Sequence, residues 1–308
     1  MQISIGISVK GSRTSAPLGV PFTSTWTTTG LSQTIELPYL STGSTYSGTI
    51  DWGDGNTSAN SYTNRTHTYA TAGTYTVVIN GTCIGWNFSV LGESNYITSV
   101  VNWGNLQFGT NNGGYFSFCS NLDLSSVQGI LNLTGVTNMS NMFLECYSLT
   151  SINNINSWDT SAVTNMAEMF LMCTSFNQPL SFNTAAVTDM SRMFASCISF
   201  NQLLSFNTVA VTNMSGMFDG CTSFNKNIGS WDVAKVTNFF SFMNGITFAT
   251  FSPTNLDAIY NGWSASGVKP NISISFGTIR YTSAGAVAKA ALIAPPNNWI
   301  ILDGGLLP

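Results

Sequence analysis

The chain has 308 residues, of which 44% are hydrophobic and 12% aromatic, so it can fold into two or three domains with a sizeable core. Only 7% of the residues are charged, and nine Lys and Arg residues are too few to form the basic patch that nucleic-acid binding requires. We therefore expect no nucleic-acid partner. No run of about 18 apolar residues occurs, so no membrane insertion is predicted either.

Residues 1–14 are predicted to form an N-terminal arm. They are polar and irregular, and they lack the positive segment and apolar run of a secretory leader. We expect the arm to contact other virion or surface proteins. A chain without a leader is typical of a virion component released by lysis, although prior removal of a leader would give the same N-terminus.

Residues 15–95 predict a β-sandwich, because short runs rich in Thr, Val, Ile and Tyr alternate with Gly, Ser and Asn. The sequence DWGDG at 51–55 indicates a strand that ends in an Asp-Gly turn, and HTYATAGTYTV follows at 67–77. These two sequences resemble the polycystic-kidney-disease (PKD) domain. That resemblance implies an immunoglobulin-like fold.

Three polar residues of this module are candidate ligands. Asp51 and Asp54 could bind calcium, but two carboxylates fall short of the six or more oxygens of such a site. Capping of the turn is the favoured interpretation. His67 is the only histidine, and we expect it at the start of a strand, hydrogen-bonded within the turn region.

Five copies of one motif occupy the middle of the chain. The first reads VTNMSNMF at 136–143, and the others begin at residues 163, 187, 211 and 236. Three copies continue with Cys-x-Ser-Phe-Asn. Apolar residues at steps of three and four predict a helical piece followed by an extended piece, and the repetition predicts stacked coils that bury one another's apolar side chains. The predicted repeat core is Val136, Met139, Met142, Phe143, Cys146, Val163, Met166, Met169, Phe170, Cys173, Val187, Met190, Met193, Phe194, Cys197, Val211, Met214, Met217, Phe218 and Cys221.

Three columns of the repeat allow alternatives. The methionines could bind a metal through their thioethers, but core filling is favoured. The Asn column is predicted to hydrogen-bond backbone groups between coils, with ligand binding as the alternative. The six cysteines could pair, whereas the recurrence of the last five with the repeat favours buried free thiols, and the sequence leaves this open. The Asn column consists of Asn138, Asn165, Asp189, Asn213 and Asn238.

The combination of VTNMSxMF, CxSFNQ and SFNT resembles the BspA-like surface-protein repeats, which are relatives of leucine-rich repeats, over residues 120–245. The resemblance implies adhesion to host or partner surfaces. A PKD-like domain followed by such repeats is similar to surface proteins of Bacteroidota and their phages.

The predicted fold class is mixed. It comprises an N-terminal all-β immunoglobulin-like sandwich at 15–95, a leucine-rich-repeat-like solenoid at 96–245 with a first cap at 96–120, and a small α+β C-terminal cap at 246–308. In this last segment, residues 283–293 read as a helix with a Ser cap.

The expected function is non-enzymatic adhesion or display. With a single histidine and no Gly-x-Ser-x-Gly, P-loop or HExxH motif, we expect no catalytic residues, cofactor or metal. The expected partner is a host-surface glycan or protein, and the expected location is the virion surface, as a spike, fibre or decoration. The alternatives are a cell-surface adhesin of a Bacteroidota bacterium and a structural virion protein without ligand. Homo-oligomerisation stays open.

Overall fold

The computed structural model describes residues 19–91, 94–109 and 112–308, so the arm predicted at 1–14 lies outside the described residues. The N-terminal module consists of strands. These are β1 (Phe22–Thr28), β2 (Gln33–Glu36), β3 (Thr45–Asp51), β4 (Thr57–Ala59), β5 (Thr66–Tyr69), β6 (Gly73–Ile84), β7 (Ile97–Asn102) and β8 (Leu106–Gln107).

Most of these strands form one six-stranded sheet with the order β4-β3-β6-β1-β7, in which β8 pairs parallel to β6. The other pairings are antiparallel, and β2 and β5 form a separate antiparallel pair. Strand β1 buries every second residue, as expected for a strand with one face on the core. On that face the Trp26 indole N–H donates to the buried Ser24 hydroxyl at 2.8 Å.

The sheet continues past the boundary predicted at residue 95. Strands β7 and β8 lie in the segment predicted to be the first cap of the repeats, but they pair with β1 and β6. Parallel bridges from Ser99 to Asp123 and from Asn102 to Gln128 then join β7 to the repeats. The edge of the sheet thus covers the start of the repeat array.

The repeats are chains of tight turns. Successive copies touch through isolated parallel bridges, such as those linking Asn165 to Asp189 and Asp189 to Asn213. Within the described part of 112–252, the structure contains no α-helix, and its one 3-10 turn is Ile155–Ser157. The helical piece predicted for each repeat is wrong, because left-handed residues such as Glu168 and Met172 interrupt any helix.

The side chains predicted to form the repeat core face inward. All twenty are buried, and the most exposed of them, Val136, retains 4% of its surface. The Phe rings stack from copy to copy, with centroids 5.7 Å apart between Phe170 and Phe194 and 5.9 Å apart between Phe194 and Phe218. These residues belong to one continuous apolar core that also includes the N-terminal module.

After the last repeat, the chain forms α1 (Pro253–Ser264), β9 (Ser273–Ser275), α2 (Ser283–Ile293) and β10 (Ile300–Leu302). Strands β9 and β10 pair in parallel, and α1 packs on α2. Thr282 is the N-cap of α2, one residue before the predicted cap Ser283. Its hydroxyl accepts a hydrogen bond from the Ala284 N–H. Trp263 of α1 stacks on Phe239 of the last repeat, with the two ring centroids 5.2 Å apart.

The predicted fold class, an immunoglobulin-like sandwich followed by a leucine-rich-repeat-like solenoid with an α+β cap, is wrong. The described chain has small, mainly antiparallel sheets and only two α-helices. A leucine-rich repeat contributes a strand to a continuous parallel sheet in every coil, whereas here single-residue bridges join turn-rich copies. The left-handed residues explain the difference, because they bend the chain away from both helix and strand.

We predict that Met190→Ala lowers the free energy of unfolding by about 2–5 kcal/mol, because it leaves a cavity between neighbouring repeats. Urea unfolding measures the change. Ile198→Ala in the same repeat, where the side chain is 48% exposed, is the matched control and should change stability by less than about 0.5 kcal/mol. Equal effects of the two substitutions would contradict the burial of Met190 between neighbouring repeats.

Candidate binding site

Each repeat directs a row of main-chain N–H groups, here called the donor row, at the next repeat. In the repeat that begins at Val163, four alternate residues donate to carbonyls one repeat later at 2.8–3.0 Å. These bonds run from Met166 to Asp189, from Glu168 to Ser191, from Phe170 to Met193 and from Met172 to Ala195. All four bonds of the donor row run toward the C-terminal end, although other main-chain bonds, such as that from the Thr188 N–H to the Thr164 carbonyl at 2.8 Å, run the opposite way. For this row, each copy has a donor side and an acceptor side.

The intervening N–H groups close turns within the same repeat. The Met169 N–H donates to the Met166 carbonyl and the Cys173 N–H to the Phe170 carbonyl, each three residues back. Two of the four donors in this repeat, Glu168 and Met172, have left-handed φ angles of 59° and 63°. Glycine occupies both equivalent positions in the fourth repeat, at Gly216 and Gly220. The coil therefore combines local turns with bonds to its neighbour.

The side chains of the Asn column bond to backbone groups within their own repeat, instead of between coils as predicted. Between repeats, the Asn213 side-chain amide donates to the Asp189 carboxylate at 3.4 Å. Each side-chain oxygen accepts from the N–H two residues later, which closes a turn at the start of the donor row. Asn165 accepts from Ala167 at 2.8 Å, and Asp189 accepts from Ser191 at 2.8 Å. The equivalent bonds join Asn138 to Ser140, Asn213 to Ser215 and Asn238 to Phe240.

All six cysteines are free buried thiols, with Cys83 in the N-terminal module and the other five inside the column. Each of the last four donates to a carbonyl of the preceding repeat, as Cys197 does to Phe170 at 2.9 Å. Burial raises the pKa values of the Cys173 and Cys197 thiols well above the ordinary value of a cysteine. In the N-terminal module, burial raises the pKa of the Cys83 thiol to about 12. These thiols act as small core groups.

The acceptor end of the column is covered by the N-terminal module. The Phe88 N–H donates to the Tyr115 carbonyl at 3.3 Å, and the Asn87 side-chain amide donates to the Gly113 carbonyl at 2.8 Å. The Ser94 hydroxyl donates to the Ser117 carbonyl at 3.0 Å. These donors occupy the side of the first coil that an earlier repeat would otherwise cover.

The donor end is open. By equivalence with the fourth repeat, the last donor row consists of the N–H groups of Phe239, Ser241, Met243 and Gly245. No acceptor for any of the four is found within the described residues. The polypeptide that follows does not form another coil, so this row has no carbonyls opposite it.

A cavity of about 640 Å³, here called the end groove, lies where the next repeat would be. Its walls are the last repeat and the strands β9 and β10, and all the lining residues are uncharged. Phe240, Ile300 and Leu302 remain 76%, 69% and 63% exposed. The lining residues are Thr237, Asn238, Phe239, Phe240, Ser241, Asn244, Ser273, Ile274, Ser275, Ile300 and Leu302.

A second cavity of about 260 Å³, here called the flank groove, meets the end groove at Phe240 and Ser241. It runs across the outer side of the repeats and includes Glu168, Arg192 and Asp219. The Arg192 guanidinium lies 3.7 Å from the Glu168 carboxylate, an exposed ion pair of small energetic value. Polar groups on the flank thus adjoin an apolar groove at the end.

The sequence carries one signal for this site, at the fifth position of the repeat motif. Where four copies have Ser or Ala, at residues 140, 167, 191 and 215, the fifth has Phe240. The position faces outward, so a large apolar residue there gains nothing from the repeat core. Ile300 and Leu302 carry no such signal, because their place beside the repeats depends on the path of the C-terminal segment.

The candidate ligands of the N-terminal module lie together but serve local structure. The Asp51 carboxylate accepts from the Gly53 N–H, and the Asp54 carboxylate accepts from the Asn56 N–H. His67 lies in β5, stacks on Trp52 and places Nε2 2.8 Å from Asp54. Partial burial alone would raise the pKa of Asp54, but hydrogen bonds from His67 and Asn56 outweigh it and lower that pKa.

Among the described residues, no group of three or more His, Cys, Asp or Glu side chains is placed to hold a metal ion. No helix in that part of the chain is long and apolar enough to cross a membrane.

These features define a class of protein: stacked turn-rich repeats, covered at the acceptor end and open at the donor end. Residues 111–206 and 180–268 match the family described as "Mycoplasma protein of unknown function, DUF285". The two matches together span 111–268, just over half of the chain, and the chain belongs to this family. The family is found in BspA-like surface repeat proteins, which supports a surface protein in general terms. No curated protein and no solved structure matches the chain.

We predict opposite effects of exchanging Gly and another residue at one left-handed position. Gly220→Ala should lower the free energy of unfolding by about 1 kcal/mol, because a left-handed φ of 71° disfavours a Cβ. Ser196→Gly at the equivalent position should raise it by about 0.5 kcal/mol, after the entropy of the unfolded glycine is subtracted. Urea unfolding measures both, and two changes of the same sign would rule out this account.

We also predict that the six cysteines do not react with Ellman's reagent in the native protein and that all six react after unfolding without reductant. Burial suppresses the reactive thiolate. Absorbance at 412 nm counts the thiols. Fewer than six in the unfolded protein would reveal a disulfide.

Proposed function

We propose that this protein is a non-enzymatic adhesion or display protein that binds a host-surface glycan or protein. The observation that carries the proposal is the open donor end, where unpaired N–H groups adjoin the exposed Phe240 ring. Aromatic rings and neutral polar groups are the elements from which protein surfaces build recognition sites. The flank groove extends this surface with hydroxyl and charged side chains.

The match to the DUF285 family supports a surface protein in general terms. Adhesion and the location on a virion or a bacterial cell are our proposals. The BspA-like and PKD-like sequence patterns favour an adhesive surface protein. We place the protein on a virion as a spike, fibre or decoration, with a bacterial cell surface as the alternative. Immunoelectron microscopy of purified particles and of host cells separates these two locations.

The structural use of His67 supports a binding protein over an enzyme. General acid–base catalysis most often uses histidine. Here the only histidine of the chain stacks on Trp52 and bonds to Asp54 in the N-terminal module, at the covered end of the repeats. The open end instead offers hydrogen-bond donors and apolar surface, which suit binding.

We predict that the fluorescently labelled full chain binds host cells or a glycan array and that Phe240→Ser weakens this binding at least tenfold. The substitution removes an exposed aromatic side chain, so the fold should persist. Flow cytometry and array fluorescence measure the binding. The matched control is Leu203→Ser, which removes an exposed apolar side chain away from both grooves. Absence of binding by the unsubstituted protein to every cell and glycan would refute the proposal.

A further inference from the structure

We infer that the end groove binds an extended polypeptide segment of a partner protein, whose carbonyls accept hydrogen bonds from the last donor row. The inference deepens the proposed adhesion function and rests on it, because it names the site and the chemical class of the ligand. Three observations lead to it: the direction of the donor row, the covered acceptor end, and the apolar side chains of the groove.

The donor row specifies the chemistry of its occupant. Everywhere else in the column it meets main-chain carbonyls, as Met214 and Gly216 do at Asn238 and Phe240. In the last repeat, Phe239 and Ser241 line the end groove and have no acceptor within the described residues. The groove therefore continues the interface between repeats, and its partial positive charge is complementary to a row of carbonyl oxygens. The Thr237 carbonyl, whose equivalents at Thr188 and Thr212 accept from the next repeat, adds one acceptor beside this row.

The covered acceptor end argues against a second copy as the occupant. Head-to-tail stacking would require the first coil of another molecule to present free carbonyls. Three of those carbonyls already accept from Asn87, Phe88 and Ser94. A partner with an unpaired extended segment meets no such competition.

The apolar side chains determine which segments fit. Ile300 and Leu302 are alternate residues on one face of β10, and Phe240 stands on the repeat side of the groove. An extended segment also places alternate side chains on one face. A segment with apolar residues at alternate positions can therefore direct its carbonyls at the donor row while its side chains contact β10 and Phe240. Since every lining residue is uncharged, a neutral segment fits best.

The test begins with a displayed library of random 12-residue peptides, selected on the full chain. We expect neutral peptides with alternating apolar residues. The double variant Ile300→Thr, Leu302→Thr should bind the selected peptides at least tenfold more weakly than the unsubstituted protein does, as measured by fluorescence anisotropy. Val287→Thr is the matched control, because that side chain is 83% exposed on α2, and it should leave binding unchanged. Peptides without the alternation, or equal binding to both variants, would overturn the assignment.

Two backbone measurements test the hydrogen bonds directly. Hydrogen exchange followed by NMR should slow at least tenfold at the Phe239 and Ser241 amides when the peptide binds. Replacing alternate peptide carbonyls with methylene groups should weaken binding at least tenfold, because the acceptors are lost. Unchanged exchange at both amides, or full affinity of the methylene peptides, would refute strand-like binding even if the peptides occupy the groove.

The remaining outcomes separate this inference from the adhesion proposal. Concentration-dependent dimers that the Ile300→Thr, Leu302→Thr variant abolishes would identify a second copy as the occupant. A glycan that competes with the peptide and depends on the same two residues would identify a sugar, and either result overturns the inference.

If the variant keeps full cell binding, the groove assignment fails while adhesion stands. If the peptides bind as expected but the full chain binds no cell or glycan, adhesion fails and the groove assignment stands.

Discussion

The structure depends on main-chain hydrogen bonds between neighbouring repeats. Those of the donor row run toward the C-terminal end, while others, such as that from the Thr188 N–H to the Thr164 carbonyl, run the opposite way. Each copy donates four N–H groups to the next, while Met, Phe and Cys side chains pack on the inner side. A single copy has neither a helix nor a strand ladder of its own, so its neighbours supply most of its stability. Because the donor row has one direction, it presents carbonyls at one end of the column and N–H groups at the other.

The two ends are treated differently by the rest of the chain. The N-terminal module supplies Asn87, Phe88 and Ser94 as donors to the carbonyl end, so the buried acceptors there are satisfied. At the other end, α1 covers the apolar core through Trp263 but leaves part of the donor row facing a groove. The C-terminal segment therefore protects the core without completing the backbone interface. As a result, the donor-row N–H groups without a main-chain acceptor among the described residues are concentrated at the C-terminal end of the column.

The sequence predicts the repeat period and its buried side chains, but not the path of the backbone. Spacings of three and four residues, as in Val163, Met166 and Phe170, bring side chains to one face in a helix, and they do so equally in a coil of tight turns. The distinguishing feature is a pair of left-handed residues four positions apart in each copy, and side chains such as Glu168 conceal it. Glycine reveals both positions in the fourth copy, at Gly216 and Gly220, and one in the fifth, at Gly245. Phe240 could be found from sequence as the odd residue of its column, whereas Ile300 and Leu302 depend on long-range folding.

The energetics of the end groove explain how it can stay open and still be selective. Water can hydrogen-bond the N–H group of the part-exposed Ser241, which limits the cost of leaving this donor unpaired, whereas Phe239 is only 1% exposed and its N–H is largely shielded from water. A ligand that displaces this water must offer acceptors in the same places, or each unpaired donor costs about 1–3 kcal/mol. A matched hydrogen bond contributes only about 0.5–1.5 kcal/mol net, so two of them cannot give tight binding. Contact with the Phe240, Ile300 and Leu302 side chains must supply the affinity, while the donor row decides which ligands are excluded.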